Sequence, residues 1–292
     1  MLKVNELSFY YGNSLALQHV NLNETEPVIV GMWGRNGAGK TTLMKLLSGQ
    51  EKPSGGQLEI KGIEPYNHSE AMRYVTYMQE NHPFSDMWNV NDALRFGSYF
   101  NENWDQEFAD RMVELFELPR KKKIKKFSKG MQTMIKIVIG LASHAPVTIF
   151  DEPTNGLDAH MRKVFYDLLL ETYDDNPRLF ILSSHHIDEI EPLCEKMAII
   201  DKQTITQYVE TEELKRRGVL LTGPKEAVEK LVDEEQILET KTLGNQINMM
   251  ADLPYHENLI QKAKEHGVKV EKAPLQDYLV QITHKQKRVN VR

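Results

Sequence analysis

Cysteine is almost absent from this chain. The single residue, Cys194 among 292, excludes any intramolecular disulfide. It sits in the apolar-spaced stretch Ile190-Glu-Pro-Leu-Cys-Glu-Lys-Met-Ala198 and reads as a small buried side chain. Long hydrophobic runs are missing too. The nearest, residues 137–150, is interrupted by Ser143, His144 and Pro146 and falls short of the roughly 18 apolar residues needed to cross a bilayer. The opening residues Met-Leu-Lys-Val-Asn-Glu lack a basic region followed by an apolar run, so no secretory signal is expected and cytoplasmic residence is the default. Basic charge is not in excess: 36 Lys and Arg against 42 Asp and Glu leave a formal charge of -6, which argues against a broad nucleic-acid-binding surface.

What is present is an ordinary globular composition, 40% hydrophobic and 27% charged, long enough for one large domain and a small one. Short apolar runs alternate with helical spacing, which predicts an α/β fold with a parallel or mixed sheet. Buried strands are expected at 27–33, 74–78, 147–150, 179–183 and 197–200. From about 89 to 142 apolar residues recur every three or four positions, as in Phe108, Met112, Leu115 and Phe116, so a helical subdomain is expected to be inserted there, within bounds of about 81–145. The texture changes again near Arg217. We expect a first domain over 1–217 and a small C-terminal α+β module over 218–292, with a βαββα-like order. The basic run Arg120-Lys-Lys-Lys-Ile-Lys-Lys126 reads as a solvated loop, and 285–292 as a flexible end.

Two motifs carry chemistry. Gly34-Arg-Asn-Gly-Ala-Gly-Lys40-Thr41 fits G-x-x-x-x-G-K-[ST], directly after an apolar run and before helical spacing at Leu43, Met44, Leu46 and Leu47. Glycines let backbone N–H groups wrap phosphates, the helix turns its positive end toward them, Lys40 reaches the β- and γ-phosphates, and Thr41 offers a hydroxyl to Mg²⁺. The second motif is Val147-Thr-Ile-Phe-Asp151-Glu152, an apolar strand ending in two carboxylates at the place where open α/β sheets bind ligands. Alone it could equally begin a surface turn, which Pro153 would favour. Beside a phosphate loop it reads as an oxygen ligand for Mg²⁺ and a group that polarises water.

The order of further motifs resembles that of the ATP-binding cassette family, the motor subunits of ABC transporters, over roughly residues 1–217. Tyr77-Met-Gln79 is similar to that family's strand-end glutamine, Phe127-Ser-Lys-Gly-Met131 to its signature, Pro153-Thr-Asn-Gly-Leu-Asp158 to its D-loop, and Leu182-Ser-Ser-His185-His186-Ile-Asp to its switch-histidine segment. The resemblance implies ATP and Mg²⁺ as ligands, with Asp151, Thr41 and Gln79 toward the metal. Glu152 would be the general base, with His185, Gln79 and Lys40 assisting catalysis. His185 is preferred to His186 from the spacing of Ser-Ser-His-His-Ile-Asp. Nucleotide contacts would come from Gly34, Asn36, Gly37, Ala38, Gly39, Lys40, Thr41 and Thr42, and from Tyr11, the aromatic residue just before Gly12, stacked on adenine.

The signature departs from Leu-Ser-Gly-Gly-Gln at Lys129 and Met131 but keeps Ser128 and Gly130. Such Ser-Lys-Gly-Met forms look like those of bacterial exporter subunits handling drugs, peptides or lipids. The family's architecture implies that Ser128, Gly130 and Asp158 act across an interface with a second nucleotide-binding subunit, as a homodimer or heterodimer. It also implies a transmembrane partner at the inner face of the membrane and no nucleic acid. The alternative is a soluble ATPase of the same family in repair, on the ribosome or in regulation, although neither two cassettes nor a long inserted coiled coil is present.

Overall fold

The computed structural model describes residues 1–289. They fall into two compact units, one formed by 1–185 with 189–208, the other by 186–188 with the chain from 209 onward. The break after Tyr208 precedes the change of texture near Arg217.

In the first unit, β1 (Leu2–Tyr11), β2 (Ser14–Glu24) and β4 (Gly55–Ile60) form an antiparallel sheet in the order β2-β1-β4. A second sheet has the order β5-β6-β7-β3-β8-β9, built from β3 (Val28–Gly34), β5 (Val75–Met78), β6 (Val147–Asp151), β7 (Leu179–Ser184), β8 (Lys196–Asp201) and β9 (Thr204–Glu210). The first five of these pair in parallel. β3, β6 and β7 are buried at every residue, as strands covered on both faces must be, and this explains why they read as unbroken apolar runs rather than alternating ones. α1 (Lys40–Leu47) buries Leu43, Met44, Leu46 and Leu47 in a core shared with Val4, Leu7 and Leu17 of the small sheet and Val30, Ile149 and Ile181 of the large one.

Between β5 and β6 lie α3 (Val90–Phe100), α4 (Gln106–Leu115) and α5 (Lys129–Ala142), after a short α2 (Ser69–Met72). Each of the three begins at a side-chain cap: Asn89 with Asp92 in a reciprocal box, Asp105, and Ser128. Such caps satisfy N–H groups that the helix itself cannot pair. α6 (Ala159–Asp175) follows β6 and is capped by Asp158. Cys194 is buried, and burial pushes its thiol pKa up. No helix among the described residues is long and apolar enough to cross a membrane.

The second unit opens with α7 (Thr211–Lys215) and holds an antiparallel sheet ordered β11-β12-β10-β13, from β10 (Arg217–Pro224), β11 (Ile237–Leu243), β12 (Gln246–Pro254) and β13 (Lys269–Lys272). α8 (Lys225–Glu229) and α9 (Glu257–Glu265) supply Val228, Leu259 and Ala263 to its core. The order is therefore βαββαβ followed by α10 (Leu275–Val289), one strand and one helix more than the sequence pattern suggests. β13 escapes notice because Lys-Val-Glu-Lys is short, charged and mostly exposed, as edge strands tend to be. The backbone of 285–289 is helical rather than a loose end, while 290–292 lie outside the described residues.

Ile181 is fully buried in β7, between β6 and β3. Ile181→Ala should lower the unfolding free energy by about 2–5 kcal/mol through lost burial and an unfilled cavity. The shift of the urea midpoint measures it.

Candidate functional site

The loop between β3 and α1 turns on glycines with φ of 80° at Gly37 and 111° at Gly39, values that residues with a Cβ rarely adopt. These turns aim the start of α1 at a cavity of about 310 Å³ lined by Asn36, Gly37, Gly39, Lys40, Thr41 and Thr42. The opposite wall is the end of β6, Asp151 and Glu152, joined by Glu80 and, at one side, by Leu15, Ala16 and Gln203. Backbone N–H groups at a helix start, one ammonium and two carboxylates thus face a single space, the combination a metal-bound polyphosphate requires.

Lys40 is 7% exposed. Its Nζ donates to the carbonyl of Gly34 at 2.5 Å and lies 3.5 Å from that of Arg35. Burial pulls its pKa down, while Glu152 and Asp151 pull it back up. The two carboxylates thus oppose the effect of burial on the ammonium.

Asp151 is 5% exposed and accepts from Ser183 Oγ at 2.5 Å and from Thr41 Oγ1 and Tyr77 Oη at 3.3 Å each. Burial, then Asp151 itself, raises the Tyr77 pKa, so the phenol stays a donor. Glu152, 8% exposed, adopts a φ of 52°, a left-handed backbone uncommon outside glycine and common at functional sites. Its N–H donates to the Ser183 carbonyl at 3.1 Å, and its side chain accepts from Ser184 Oγ at 3.3 Å and from the His185 N–H at 3.1 Å. The His185 ring completes the set, with Nδ1 2.9 Å from Glu152 Oε1. A carboxylate only accepts, so Nδ1 is the donor in this contact.

The structure brings Lys40, Thr41, Asp151, Glu152 and His185 together. Asn36, Gly37, Gly39 and Thr42 line the same cavity, whereas Gln79, Ser128, Gly130, Asp158 and Tyr11 are not among its lining residues. The Gln79 side chain donates to Gln50 Oε1 at 3.3 Å. Ser128 Oγ accepts from the Met131 N–H at 3.3 Å, and Asp158 Oδ1 from that of Met161 at 2.8 Å, each capping its own helix. Gly130 packs on the Gly156 carbonyl, so closely that a Cβ there would lie 2.7 Å from that oxygen. Tyr11 is 45% exposed and meets the edge of Phe9 at 4.8 Å between ring centroids. Gly34 and Ala38 are likewise not among the lining residues.

Comparison with known proteins identifies the class of site. A family model described as ABC transporter matches residues 17–155. The bacitracin transport ATP-binding protein BcrA of Bacillus licheniformis is 33% identical over 225 residues, covering 75% of this chain and 72% of that protein. This chain belongs to the ABC transporter family as an ATP-binding subunit and ATPase. YtrB of Bacillus subtilis, an ABC transporter ATP-binding protein, is 25% identical over 219 residues, 75% of each chain. The fold matches a solved ATP-binding subunit of an ABC transporter with a TM-score of 0.67 at 23% identity, over 74% of this chain and 92% of that one. It also matches a dimeric ATP-binding cassette in a post-hydrolysis state bound to ADP and Pi, with a TM-score of 0.62 at 20% identity, over 72% and 99% of the two chains.

Sequence pattern alone does not single out Glu80 or Gln203. Glu80 directly follows Gln79, and its position after a buried strand was the available signal. Gln203, with Lys202, turns the β8–β9 hairpin at positive φ, where Asn-Gly would be the usual sign. Lys136 is also unanticipated. It is 6% exposed on α5, donates to the carbonyls of Gln79 at 3.2 Å and Glu80 at 2.7 Å, and is pulled down to a pKa of about 8 by burial.

Lys40→Ala should weaken ATP binding by roughly tenfold or more, since a hydrogen bond to a charged group contributes about 1.5–3 kcal/mol. Titration with a fluorescent ATP analogue reads the change.

Proposed function

We propose that this subunit is the motor of an exporter for drugs, peptides or lipids, working as a nucleotide-sandwich dimer on membrane subunits at the cytoplasmic face. The observation that carries the reading is the buried Asp151–Glu152 pair facing Lys40 and Thr41 across one cavity. In such a cavity the triphosphate lies along the start of α1, with Lys40 matching its charge and the loop N–H groups fixing its orientation. Little covalent chemistry is then asked of the protein, because phosphoryl transfer to water depends on positioning and charge.

Glu152, held by Ser184 and His185, orients water toward the γ-phosphorus and takes its proton. Its strained backbone and three-sided anchoring leave the carboxylate one direction to face. His185, whose Nδ1 donates to Glu152, would assist from beside that carboxylate, as the resemblance of its segment to the family's switch histidine supports. The hard oxygens of Thr41 and Asp151, 3.3 Å apart, fit Mg²⁺, which prefers one or two protein oxygens beside those of phosphate. These residues would hold the ion, whose contribution is to neutralise charge on the phosphates. Gln79 would join them from the end of β5, and Tyr11 would stack on adenine from the rim.

Ser128 at the start of α5 and Asp158 at the start of α6 cap their helices in cis, Gly130 lies in the first turn of α5, and none of the three lines the cavity of its own chain. That supports their serving a second copy, whose ATP they would cover from the other side, with a helix N-terminus offered to phosphate. For a membrane partner, the inserted helices offer a ridge of touching rings. Trp88 and Phe96 lie 4.5 Å apart and Phe96 and Phe100 4.7 Å apart, with Met87 and Tyr99 largely exposed nearby in sequence. Exposed apolar rings in such a row mark interaction surfaces. The likeness to a bacitracin transport subunit supports outward transport, as does the Ser-Lys-Gly-Met signature.

Glu152→Gln should bind ATP nearly as well as the parent, lose at least about a hundredfold in turnover, and accumulate as an ATP-bound dimer on size exclusion. Normal turnover would remove Glu152 from its role. Affinity purification from native membranes should bring down an integral membrane protein, and a retinue of ribosomal proteins or DNA alone would overturn the transport reading. Chelating Mg²⁺ with EDTA should stop hydrolysis in the parent subunit, and added Mg²⁺ should restore it.

A further inference from the structure

The basic run at residues 120–126 reads from sequence as a solvated loop, and the structure gives it a fixed shape. Ile124 and Phe127 are 1% and 6% exposed and pin the run down. Ile124–Lys126 makes a single tight turn, in which the N–H groups of Lys126 and Phe127 donate to the carbonyls of Lys123 and Ile124 at 3.0 and 2.9 Å. A second tie comes from the segment before α3. The Ile124 N–H donates to the Trp88 carbonyl at 2.9 Å, and Lys123 pairs with Asn89 in an antiparallel bridge. Two stretches far apart in the chain thus form one surface.

Two of the cations on this surface are answered by carboxylates. Arg120 meets Asp110 at 2.7 Å and Lys125 meets Asp86 at 3.1 Å. Lys121, Lys122, Lys123 and Lys126 have no carboxylate at ion-pair distance among the described residues, and all but Lys123 are exposed. Lys122 lies over the Phe127 ring, 5.8 Å from its centroid. Lys123 places its Nζ 3.7 Å from Met87 Sδ. That contact joins the charged run to the exposed Met87 and to the ring row that passes from Trp88 through Phe96 to Phe100. Four ammonium groups without a carboxylate therefore adjoin an apolar ridge, in a chain whose formal charge is -6. Cations gathered on one ordered patch of an otherwise acidic protein create a local field that draws an anionic partner.

The side chains say what kind of anion fits. Lysine is a compact point charge on a flexible stem, without the planar fork with which arginine grips one shaped acceptor. None of these lysines lines the phosphate cavity. Rings and methionine beside lysines match the interfacial zone of a bilayer, where rings sit at headgroup level and ammonium groups reach the phosphates. We propose that residues 120–126, with Met87 and Trp88 beside them, form a contact for the anionic headgroups of a lipid bilayer. Attraction of this kind adds up over the lysines, by roughly fivefold in partitioning for each. It falls off within a Debye length, about 10 Å at 0.1 M salt. The contact goes beyond the export reading and does not require it, since any anionic bilayer suffices.

The test is co-sedimentation of the whole subunit with vesicles of phosphatidylcholine alone or mixed with phosphatidylglycerol. The parent should bind the mixed vesicles at least about tenfold more tightly than the neutral ones, and raising salt from about 0.05 to about 0.5 M should remove most of that difference. The variant Lys121→Gln/Lys122→Gln/Lys123→Gln/Lys126→Gln should lose at least about tenfold on the mixed vesicles. A control with the same change of net charge elsewhere, Lys225→Gln/Lys230→Gln/Lys262→Gln/Lys264→Gln, should bind like the parent. Met87→Ser leaves every charge in place and should weaken binding at least about twofold through lost apolar burial, with the salt dependence unchanged.

Binding that does not distinguish the two vesicles, or a quadruple variant that binds like the parent, would overturn the proposal. A control that loses as much would overturn it too, by making net charge the cause. Met87→Ser binding like the parent would reduce the patch to a bare polyanion contact and sink the bilayer assignment. If vesicles fail to bind while the lysine variant no longer brings down a membrane protein from native membranes, the run is a protein contact and the proposal falls. Each variant is checked for folding by its melting curve. Should the quadruple variant not fold, Lys121→Gln/Lys122→Gln, which changes two exposed side chains, decides by the same criteria. The assay contains no nucleotide, so a failure of the motor reading leaves its result intact.

Discussion

Everything at the site depends on how two adjacent carboxylates, Asp151 and Glu152, are held where little water reaches them. A buried polar or charged group is costly unless it is hydrogen-bonded or paired. The structure supplies both kinds of partner. Hydroxyl donors converge on Asp151 from Thr41, Tyr77 and Ser183, and the Lys40 ammonium faces both acids from the phosphate loop. Lys40 in turn is buried and would shed its proton more readily without them. The three groups depend on one another, which links the strand-end acids to the loop some hundred residues earlier in the chain.

That mutual dependence explains which parts of the site were legible in the sequence. The phosphate loop was, because strand, turn and helix follow one another and the glycines answer to local backbone geometry. The end of β6 was legible by a different route, through a fully buried parallel strand whose apolar run stops at two acids. Glu80 was not. Its partners Lys129 and Lys136 lie in the last of the inserted helices and Asn155 beyond it, and a single glutamate after a strand gives no sign that three distant residues will close on it. Lys136 was hidden further by its setting. A lysine among Ile, Val and Leu on an amphipathic helix suggests a solvated face, yet here it turns inward to two carbonyls. The second unit shows the same division: the β11–β12 hairpin followed from local pattern, while β13 is defined only by pairing with β10.

Ser128 and Asp158 illustrate how a structural reading and a functional one coexist. Each caps a helix, and capping alone would account for its presence at about 0.5–2 kcal/mol of stability. A capped N-terminus is also a pre-formed anion site, because the same turn that satisfies one or two N–H groups leaves the others pointing outward. The cap fixes the helix start in the geometry a phosphate needs. Substitution at these positions therefore mixes lost stability with lost function.

The division of labour within the first unit follows from how each part is held. β3, β6 and β7 are buried strands paired on both sides, so the groups they position sit on a framework that cannot shift without breaking a core. The inserted helices carry the exposed ring row and the start of α5, and they meet that framework through fewer links. Rigid placement suits the groups that orient water and phosphate, whereas a more loosely attached layer suits surfaces that must answer to a membrane partner and to a second copy. Some connection between the two is required if hydrolysis is to do mechanical work.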